Sequence, residues 1–268
     1  MALFDIIMLA LIQGVTEFLP ISSSGHLILW PLMTGRPDQG LMMDVAVHLG
    51  TLVAVCIYFR RDVAVLGRGT LQIASGQRRG AEARTALLVG IATLPALVAG
   101  LGLKLAGAMD ALRVVEVIGW TTILWGVALW LADRFGAERR IGADWGLRDA
   151  LAMGFAQALA LVPGTSRSGI TMMTARALGF RRDEAARISL LMAVPVTLAA
   201  VVLESAELVS AGSFAVGGEL LLGAALSCMA ALAALSVMMR MFRASWTMTP
   251  FVLYRLALGT LLLALAYS

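Results

Sequence analysis

The residues best suited to chemistry lie in one stretch near the amino terminus, residues 13–26, with the sequence QGVTEFLPISSSGH. A carboxylate, three adjacent hydroxyls and an imidazole are close together there: Glu17, Ser22, Ser23, Ser24 and His26. Apolar sequence lies on both sides, and such polar groups are costly to bury among apolar ones. Their presence indicates a site at which the protein acts on a polar group.

The residue types in this stretch suit nucleophilic and acid–base chemistry. His26 can activate a serine hydroxyl or attack phosphorus itself. Glu17 can act as a general base, or its oxygens can bind Mg²⁺ or Ca²⁺. Gln13 lies one helical turn before Glu17, so the two side chains share a helix face and Gln13 can add a neutral carbonyl ligand. The stretch therefore predicts a divalent-cation site at Gln13 and Glu17.

A second stretch, residues 157–169, echoes the first with the sequence QALALVPGTSRSG. In both stretches a serine-rich turn precedes an apolar helical segment, and the N–H groups at a helix N-terminus suit a phosphate. Plain N-capping is the alternative for such a turn. Arg167, an arginine inside an apolar region, favours phosphate binding. The predicted phosphate-binding residues beside Arg167 are Ser22, Ser24, Gly25, Thr165, Ser166, Ser168 and Gly169.

We expect the two stretches to meet at one site. Phosphoryl transfer needs positioned groups and neutralised charge more than covalent chemistry from the protein. A carboxylate, an imidazole, an arginine, several hydroxyls and a divalent cation are sufficient for it.

The elements that must position these groups are membrane helices. Hydrophobic residues make up 60% of the 268-residue chain and charged residues only 14%, whereas soluble domains carry about 25% charged residues. An all-α integral membrane fold is therefore predicted. Six apolar segments are long enough to cross a bilayer: 42–59, 85–105, 112–132, 184–203, 217–239 and 249–267.

Two further regions, residues 2–33 and 150–180, each contain two short apolar segments around a proline-containing polar turn. We interpret each as a re-entrant helical hairpin; for the first, one kinked span is the alternative. A hairpin followed by three spans then occurs twice, in halves 1–135 and 145–268 of a single membrane domain. Because each half has three spans, the halves must be inverted, with broken helices meeting near the midplane.

The segments between spans are predicted to lie at the surface. Residues 62–83 form a loop with an amphipathic piece, and residues 133–148, which include Asp133, form a charged loop.

Arginines predict the orientation. Threading the spans puts one group on a single face: Arg60, Arg61, Arg68, Arg78, Arg79, Arg84, Arg134, Arg139, Arg140, Arg148, Arg181, Arg182, Arg187, Arg240 and Arg243. The opposite face has Arg36, Lys104 and Arg113. The positive-inside rule then places both termini outside. Basic clusters beside spans indicate topology, so no nucleic-acid partner is expected.

Two more ionisable residues lie inside predicted spans. We interpret His48 as a packing residue and Arg255, beside Tyr254, as a structural partner of a carboxylate or carbonyl rather than a catalytic group.

The block 13–26, the motif PGTSRSG at 163–169 and the tail PFVLYR at 250–255 resemble the undecaprenyl-diphosphate phosphatase family linked to bacitracin resistance. The resemblance extends over essentially the whole chain. It implies hydrolysis of C55 undecaprenyl diphosphate to the monophosphate and inorganic phosphate, which recycles the lipid carrier for peptidoglycan synthesis. It also implies a site on the outer side of the bacterial cytoplasmic membrane and use of a divalent cation.

Carried over by position, the resemblance makes Glu17 the second acid of a Glu/Gln-x-x-x-Glu pair. Gln13 takes the first position, where many relatives have Glu. Ser23 and His26 match the nucleophile candidates, and which of them attacks stays open. Arg167 matches the phosphate-binding arginine, so the predicted catalytic residues are Glu17, Ser23, His26 and Arg167.

Other functions remain open from the sequence. An inverted repeat with broken helices is also the architecture of secondary transporters, and such a fold could flip a lipid phosphate. A membrane phosphatase that uses two histidines and a Lys/Arg motif is disfavoured, because the only other histidine, His48, is on a span ahead of the second hairpin and Lys104 is the only lysine. The expected partners are a polyprenyl diphosphate and the bilayer, and a homodimer is compatible with the sequence.

Overall fold

The computed structural model describes residues 2–35, 40–77, 79–108, 110–212 and 217–267, apart from the side chains of Leu32 and Asp110. Helices dominate this part of the chain: α1 (Leu3–Thr16), α2 (Ser23–Thr34), α3 (Leu41–Tyr58), α4 (Arg60–Ala74), α5 (Ala81–Leu105), α6 (Val115–Phe135), α7 (Leu147–Leu159), α8 (Arg167–Ala177), α9 (Arg182–Ser210), α10 (Gly218–Arg243) and α11 (Thr249–Tyr267). Two 3-10 turns cover Asp110–Leu112 and Gly142–Asp144. Arg36 and Arg78, used above to predict orientation, lie outside the described residues.

The structure confirms the predicted fold class, an all-α integral membrane protein. Six helices, α3, α5, α6, α9, α10 and α11, are long and apolar enough to cross a bilayer. Large apolar side chains stand exposed along them; on α5, Leu94, Val98 and Leu105 are each more than half exposed. A stripe of this kind on a soluble protein would be an interaction or aggregation surface, whereas here it faces lipid. The main boundary difference is α9, which begins at Arg182 and continues to Ser210.

The two predicted hairpins are pairs of short helices, α1–α2 and α7–α8. Helix α1 packs on α10 and α7 packs on α5, while α3 and α9 pack against each other. Small residues allow the close approaches: a Cβ at Gly14 would lie 2.5 Å from the Ser227 carbonyl, and one at Gly154 would lie 2.8 Å from the Ala92 carbonyl. Apart from α4, which has no counterpart in the second half, the two halves present matching elements in the same order. The division at 1–135 and 145–268 stays a prediction.

The segment predicted as a loop with an amphipathic piece is mainly the helix α4. It follows α3 after a break at Phe59, whose φ of −100° and ψ of 32° leave the helical region. Helix α4 packs on α5, and Arg68 Nε donates to Glu82 Oε1 at 2.7 Å.

The prediction that Asp133 lies in a surface loop is wrong. Asp133 belongs to the last turns of α6 and is only 4% exposed. Its carboxylate accepts from Arg176 Nε at 3.1 Å, from Arg182 Nε at 2.7 Å and from the Met248 N–H at 2.9 Å. Arg176, which the sequence analysis did not single out, is fully buried. This cluster joins α6, α8, α9 and the start of α11.

We predict that Asp133→Asn destabilises the fold by about 3 kcal/mol or more, because it leaves the two arginines of this cluster with only the half-exposed Glu138 as counter-charge. The measurement is unfolding of the purified protein in mixed micelles, followed by helical circular dichroism. Asp183→Asn is the matched control, since Asp183 pairs with the exposed Arg181 and such pairs contribute little. Equal losses in the two variants would contradict the assigned importance of the cluster.

Candidate active site

The two hairpins contain the same strained turn. Ser22 immediately precedes α2 with φ 76° and ψ 102°, and Ser166 immediately precedes α8 with φ 65° and ψ 110°. Positive φ is uncommon for residues other than glycine, and such strain often occurs at functional sites. The hydroxyls form matching pairs, Ser22–Ser24 at 3.1 Å and Ser166–Ser168 at 3.2 Å between the oxygens. The sequence echo is therefore a real structural correspondence between the turns.

The two turns contact each other directly, as expected from the sequence. The Gly164 N–H donates to Ser24 Oγ at 3.3 Å, and Ser168 Oγ donates to the Leu19 carbonyl at 2.9 Å. Each hairpin thus satisfies polar groups of the other.

Arg255 of α11 donates hydrogen bonds to backbone carbonyls of both turns. Its Nη1 donates to the Pro20 carbonyl at 3.3 Å, and its Nη2 donates to the carbonyls of Gly164 at 3.0 Å and Thr165 at 3.1 Å. Its Nε donates to the Thr122 carbonyl at 3.1 Å. The guanidinium is completely buried, so it has no room for a substrate. The interpretation of Arg255 as a structural residue is confirmed, with carbonyls as its partners.

Glu17 lies at the junction, directly after α1. Its Oε1 accepts from Arg167 Nη2 at 2.7 Å. Its Oε2 accepts from Ser23 Oγ at 2.8 Å and from Gln13 Nε2 at 2.9 Å. Three of the four predicted catalytic residues, Glu17, Ser23 and Arg167, are therefore joined by hydrogen bonds although 150 positions of sequence separate Glu17 from Arg167.

Arg167 is also fixed from the other side by α9. Its Nη1 donates to the Ala193 carbonyl at 3.0 Å and to Thr197 Oγ1 at 2.8 Å. A guanidinium has five N–H donors, so within the described part of the chain Nε–H and one Nη2–H remain available. Sequence reasoning missed Thr197, because a threonine in an apolar span gives no signal of its partner.

Arg167 also lines a cavity of about 810 Å³ between α5, α7 and α9. Its walls are mostly apolar, from residues such as Leu97, Leu101, Val196 and Leu203. Charged residues Lys104, Arg113, Glu204 and Glu207 also line it. Lys104 and Glu207 form an ion pair between α5 and α9.

His26 is placed apart from this network. Its Nδ1 lies 2.6 Å from the Ser22 carbonyl oxygen and its Nε2 lies 2.7 Å from the Tyr254 hydroxyl. Among the described residues, His26 makes no hydrogen bond to Glu17 or Arg167. In the sequence Tyr254 is distinguished only as the neighbour of Arg255, and its partner could not be inferred there.

His48, interpreted above as a packing residue, lies beside the site. Its Nδ1 is 2.8 Å from the Asp44 carbonyl oxygen and its Nε2 is 4.0 Å from Glu17 Oε2. Direct hydrogen bonding does not occur at that distance, but one bridging water can connect such groups. The interpretation of His48 as a packing residue is therefore incomplete, because its ring also lies beside Glu17.

In the second turn, the hydroxyls of Ser166 and Ser168 have internal partners. Ser166 Oγ accepts from the Gly169 N–H at 3.1 Å, which is N-capping of α8. Thr165 Oγ1 is buried and has no hydrogen-bond partner among the described residues. Phosphate binding by Ser22, Ser24, Gly25, Thr165, Ser166, Ser168 and Gly169 stays a prediction.

The fit of a divalent cation rests on two oxygen donors. A carboxylate only accepts hydrogen bonds, so the Gln13 amide nitrogen must face Glu17. Gln13 Oε1 is then buried, with no partner in the part of the chain that the structure describes. Within the described residues no group of three or more His, Cys, Asp or Glu side chains is placed to hold a metal. The cation site at Gln13 and Glu17 stays a prediction, in which the other ligands are phosphate oxygens and water, as is usual for Mg²⁺.

Comparison with known proteins gives a consistent family. The family model described as Bacitracin resistance protein BacA matches residues 6–261. The chain is 51% identical to a protein of Ruegeria pomeroyi over 268 residues, covering all of both chains. It is 46% identical to one of Alcanivorax borkumensis, covering 97% of each, and 43% identical to one of Maricaulis maris, covering 98% of each. All three relatives are named undecaprenyl-diphosphatase.

Proposed function

Because the chain belongs to the bacitracin resistance protein BacA family, we propose that it is an undecaprenyl-diphosphatase. It hydrolyses undecaprenyl diphosphate to undecaprenyl phosphate and inorganic phosphate, and so returns the lipid carrier to peptidoglycan synthesis. The observation that carries this proposal is the junction of Glu17, Ser23 and Arg167 in a chain that aligns end to end with relatives of that name.

Arg167 binds the terminal phosphate in this proposal. Its Nε–H and its second Nη2–H are the donors that remain after Glu17, Ala193 and Thr197 are satisfied. Those three contacts fix the plane of the guanidinium before substrate arrives. A preorganised donor of this kind stabilises charge that develops in the transition state without a reorganisation cost.

Ser23 is the nucleophile in this mechanism. Its hydroxyl already donates to Glu17 Oε2 at 2.8 Å, the arrangement of a nucleophile and its base. The Ser23 Oγ–phosphorus bond forms, the bond from that phosphorus to the bridging oxygen breaks, and the serine proton passes to Glu17. The lipid monophosphate leaves. Water then attacks the phosphoserine, the Ser23 Oγ–phosphorus bond breaks, and Ser23 takes its proton back from Glu17 as inorganic phosphate forms.

We assign His26 to proton transfer rather than attack. Both ring nitrogens have partners, Ser22 and Tyr254, so neither is free to reach phosphorus. The second step needs a base for the attacking water, and the imidazole can take that proton at Nε2 through the Tyr254 hydroxyl bound there.

The apolar cavity between α5 and α9 suits the first isoprene units of the substrate. Arg167 and apolar side chains line the same space, so a diphosphate at the arginine would have its tail against α5 and α9. Burial of an isoprenoid chain there is favourable by about 25 cal/mol per Å² of apolar surface.

A divalent cation would be held by Glu17 and by Gln13 Oε1, which has no hydrogen-bond partner among the described residues. When bound, it would neutralise phosphate charge. We further propose the orientation given by the arginines, with both termini and the site on the outer side of the bacterial inner membrane. That the protein forms a homodimer and that it has no nucleic-acid partner stay predictions.

Arg167→Ala should lower phosphate release from C55 and C15 polyprenyl diphosphates by at least about 100-fold, because it removes a preorganised donor to the transferred phosphate. Purified protein in detergent, assayed for inorganic phosphate, gives the measurement. Arg148→Ala is the control: Arg148 is exposed at the start of α7 and should leave the rate unchanged.

Binding of the lipid diphosphate by wild type without any phosphate release would overturn the hydrolase. That result would favour the transporter or flippase built on the same inverted repeat. Wild-type rates in Arg167→Ala would remove the arginine from the site while leaving the activity in place.

Chelation of divalent cations should abolish turnover. Gln13→Glu should retain activity and reach half-activity at a lower Mg²⁺ or Ca²⁺ concentration, because a second carboxylate strengthens an oxygen site. The measurement is phosphate release across a cation titration in both proteins. Full activity in EDTA would remove the cation from the scheme; a severe loss in Gln13→Glu would show that the amide donor to Glu17 is what matters.

A further inference from the structure

The contact between His26 and Tyr254 joins two distant parts of the chain. His26 lies in the first turn of α2 and Tyr254 in α11, and the rings are nearly parallel, with centroids 5.5 Å apart and an interplanar angle of 8°. The Tyr254 hydroxyl lies 2.7 Å from Nε2. Both ring nitrogens of His26 are therefore in hydrogen bonds, because the Ser22 carbonyl lies 2.6 Å from Nδ1.

These two partners decide the tautomer. A carbonyl oxygen only accepts, so Nδ1 must carry the proton. In the neutral ring Nε2 then has the lone pair, and the Tyr254 hydroxyl must donate to it. When the ring is protonated, Nε2–H donates and the same hydroxyl accepts. Tyr254 can accompany His26 through gain and loss of a proton without moving away.

The position of α11 against the two hairpins determines where this hydroxyl lies. The next residue, Arg255, is bound to the Pro20, Gly164 and Thr165 carbonyls, which fixes the rotation and height of α11 against both hairpins. Tyr254 is therefore held in register with the turn that presents Ser22, Ser23 and His26. The hydrogen bonds of Arg255 therefore also hold the contact between Tyr254 and His26 in place.

We propose that Tyr254 is a positioning residue for the hydrolysis: its hydroxyl holds His26 as the Nδ1-protonated tautomer and keeps Nε2 as the proton-accepting atom. The inference rests on the proposed phosphatase function. Because the Tyr254 hydroxyl occupies the Nε2 lone pair, Nε2 does not attack phosphorus, and a proton both reaches and leaves Nε2 through that hydroxyl.

The test is ¹⁵N NMR of histidine-labelled protein in micelles. The chain has two histidines, so His48→Gln leaves His26 as the single labelled ring. In that background the neutral ring should show a protonated Nδ1 and an unprotonated, hydrogen-bonded Nε2. Adding Tyr254→Phe keeps the ring stacking but removes the donor, so the Nε2 resonance should move to the position of a free lone pair.

Activity is the second arm, measured in the wild-type background. Tyr254→Phe should lower kcat by about 10- to 100-fold, as for other partners that orient a functional side chain, with little change in KM. The pH profile of kcat should shift as well. Tyr58→Phe is the matched control, because it deletes a hydroxyl from another of the three tyrosines and should leave kcat and the His26 spectrum unchanged.

The outcomes separate this proposal from the function on which it rests. A His26 ring protonated at Nε2, or a spectrum unchanged by Tyr254→Phe, overturns the positioning role even if the enzyme is active. A lost hydrogen bond with wild-type kcat and pH profile also overturns it. If wild type releases no phosphate, the phosphatase function fails, and with it the role of Tyr254 in hydrolysis, whatever the NMR shows of the bond.

Discussion

The rest of this structure depends on one ion pair, between Glu17 and Arg167. Glu17 and Arg167 come from different hairpins, and their side chains are only 9% and 15% exposed. Removing two charges from water costs several kcal/mol per ion, and the attraction between them does not reliably repay it. A pair in this position is therefore poor support for stability. Its value lies in what it presents, since Glu17 also accepts from Ser23 and Arg167 keeps two donors for a phosphate.

The surrounding framework serves to keep the two hairpins together. Arg255 donates to carbonyls of both turns, and the turns exchange hydrogen bonds with each other. The repeat also relates the two residues that contact Glu17. Ser23 and Arg167 are each the first residue of the helix after the strained serine, and both contact Glu17. Duplicated positions thus carry a hydroxyl in one copy and a guanidinium in the other.

Much of the site was predictable because polar residues are conspicuous in apolar sequence. Glu17, Ser23 and Arg167 stood out for this reason, and the two serine turns showed the repeat. Partners on other helices could not be predicted. Thr197 and Tyr254 are ordinary residues for a membrane span, and His48, although conspicuous in one, gives no sign of its neighbours. Only the packing of α9, α3 and α11 brings these residues to the site. Asp133 was misplaced because a charged run at a helix end has the composition of a loop, while its burial depends on Arg176 and Arg182 far along the chain.

The central claim is that Glu17 and Arg167 act as one unit across the two hairpins. A double-mutant cycle on unfolding free energy, with Glu17→Gln, Arg167→Met and both together in mixed micelles, measures that coupling independently of catalysis. Each single change leaves a buried charge without its partner, so the double variant should lose less than the two single losses combined, with a coupling of at least about 0.5 kcal/mol. Losses that add to within about 0.3 kcal/mol would mean that the two side chains do not interact, and the shared site would be contradicted.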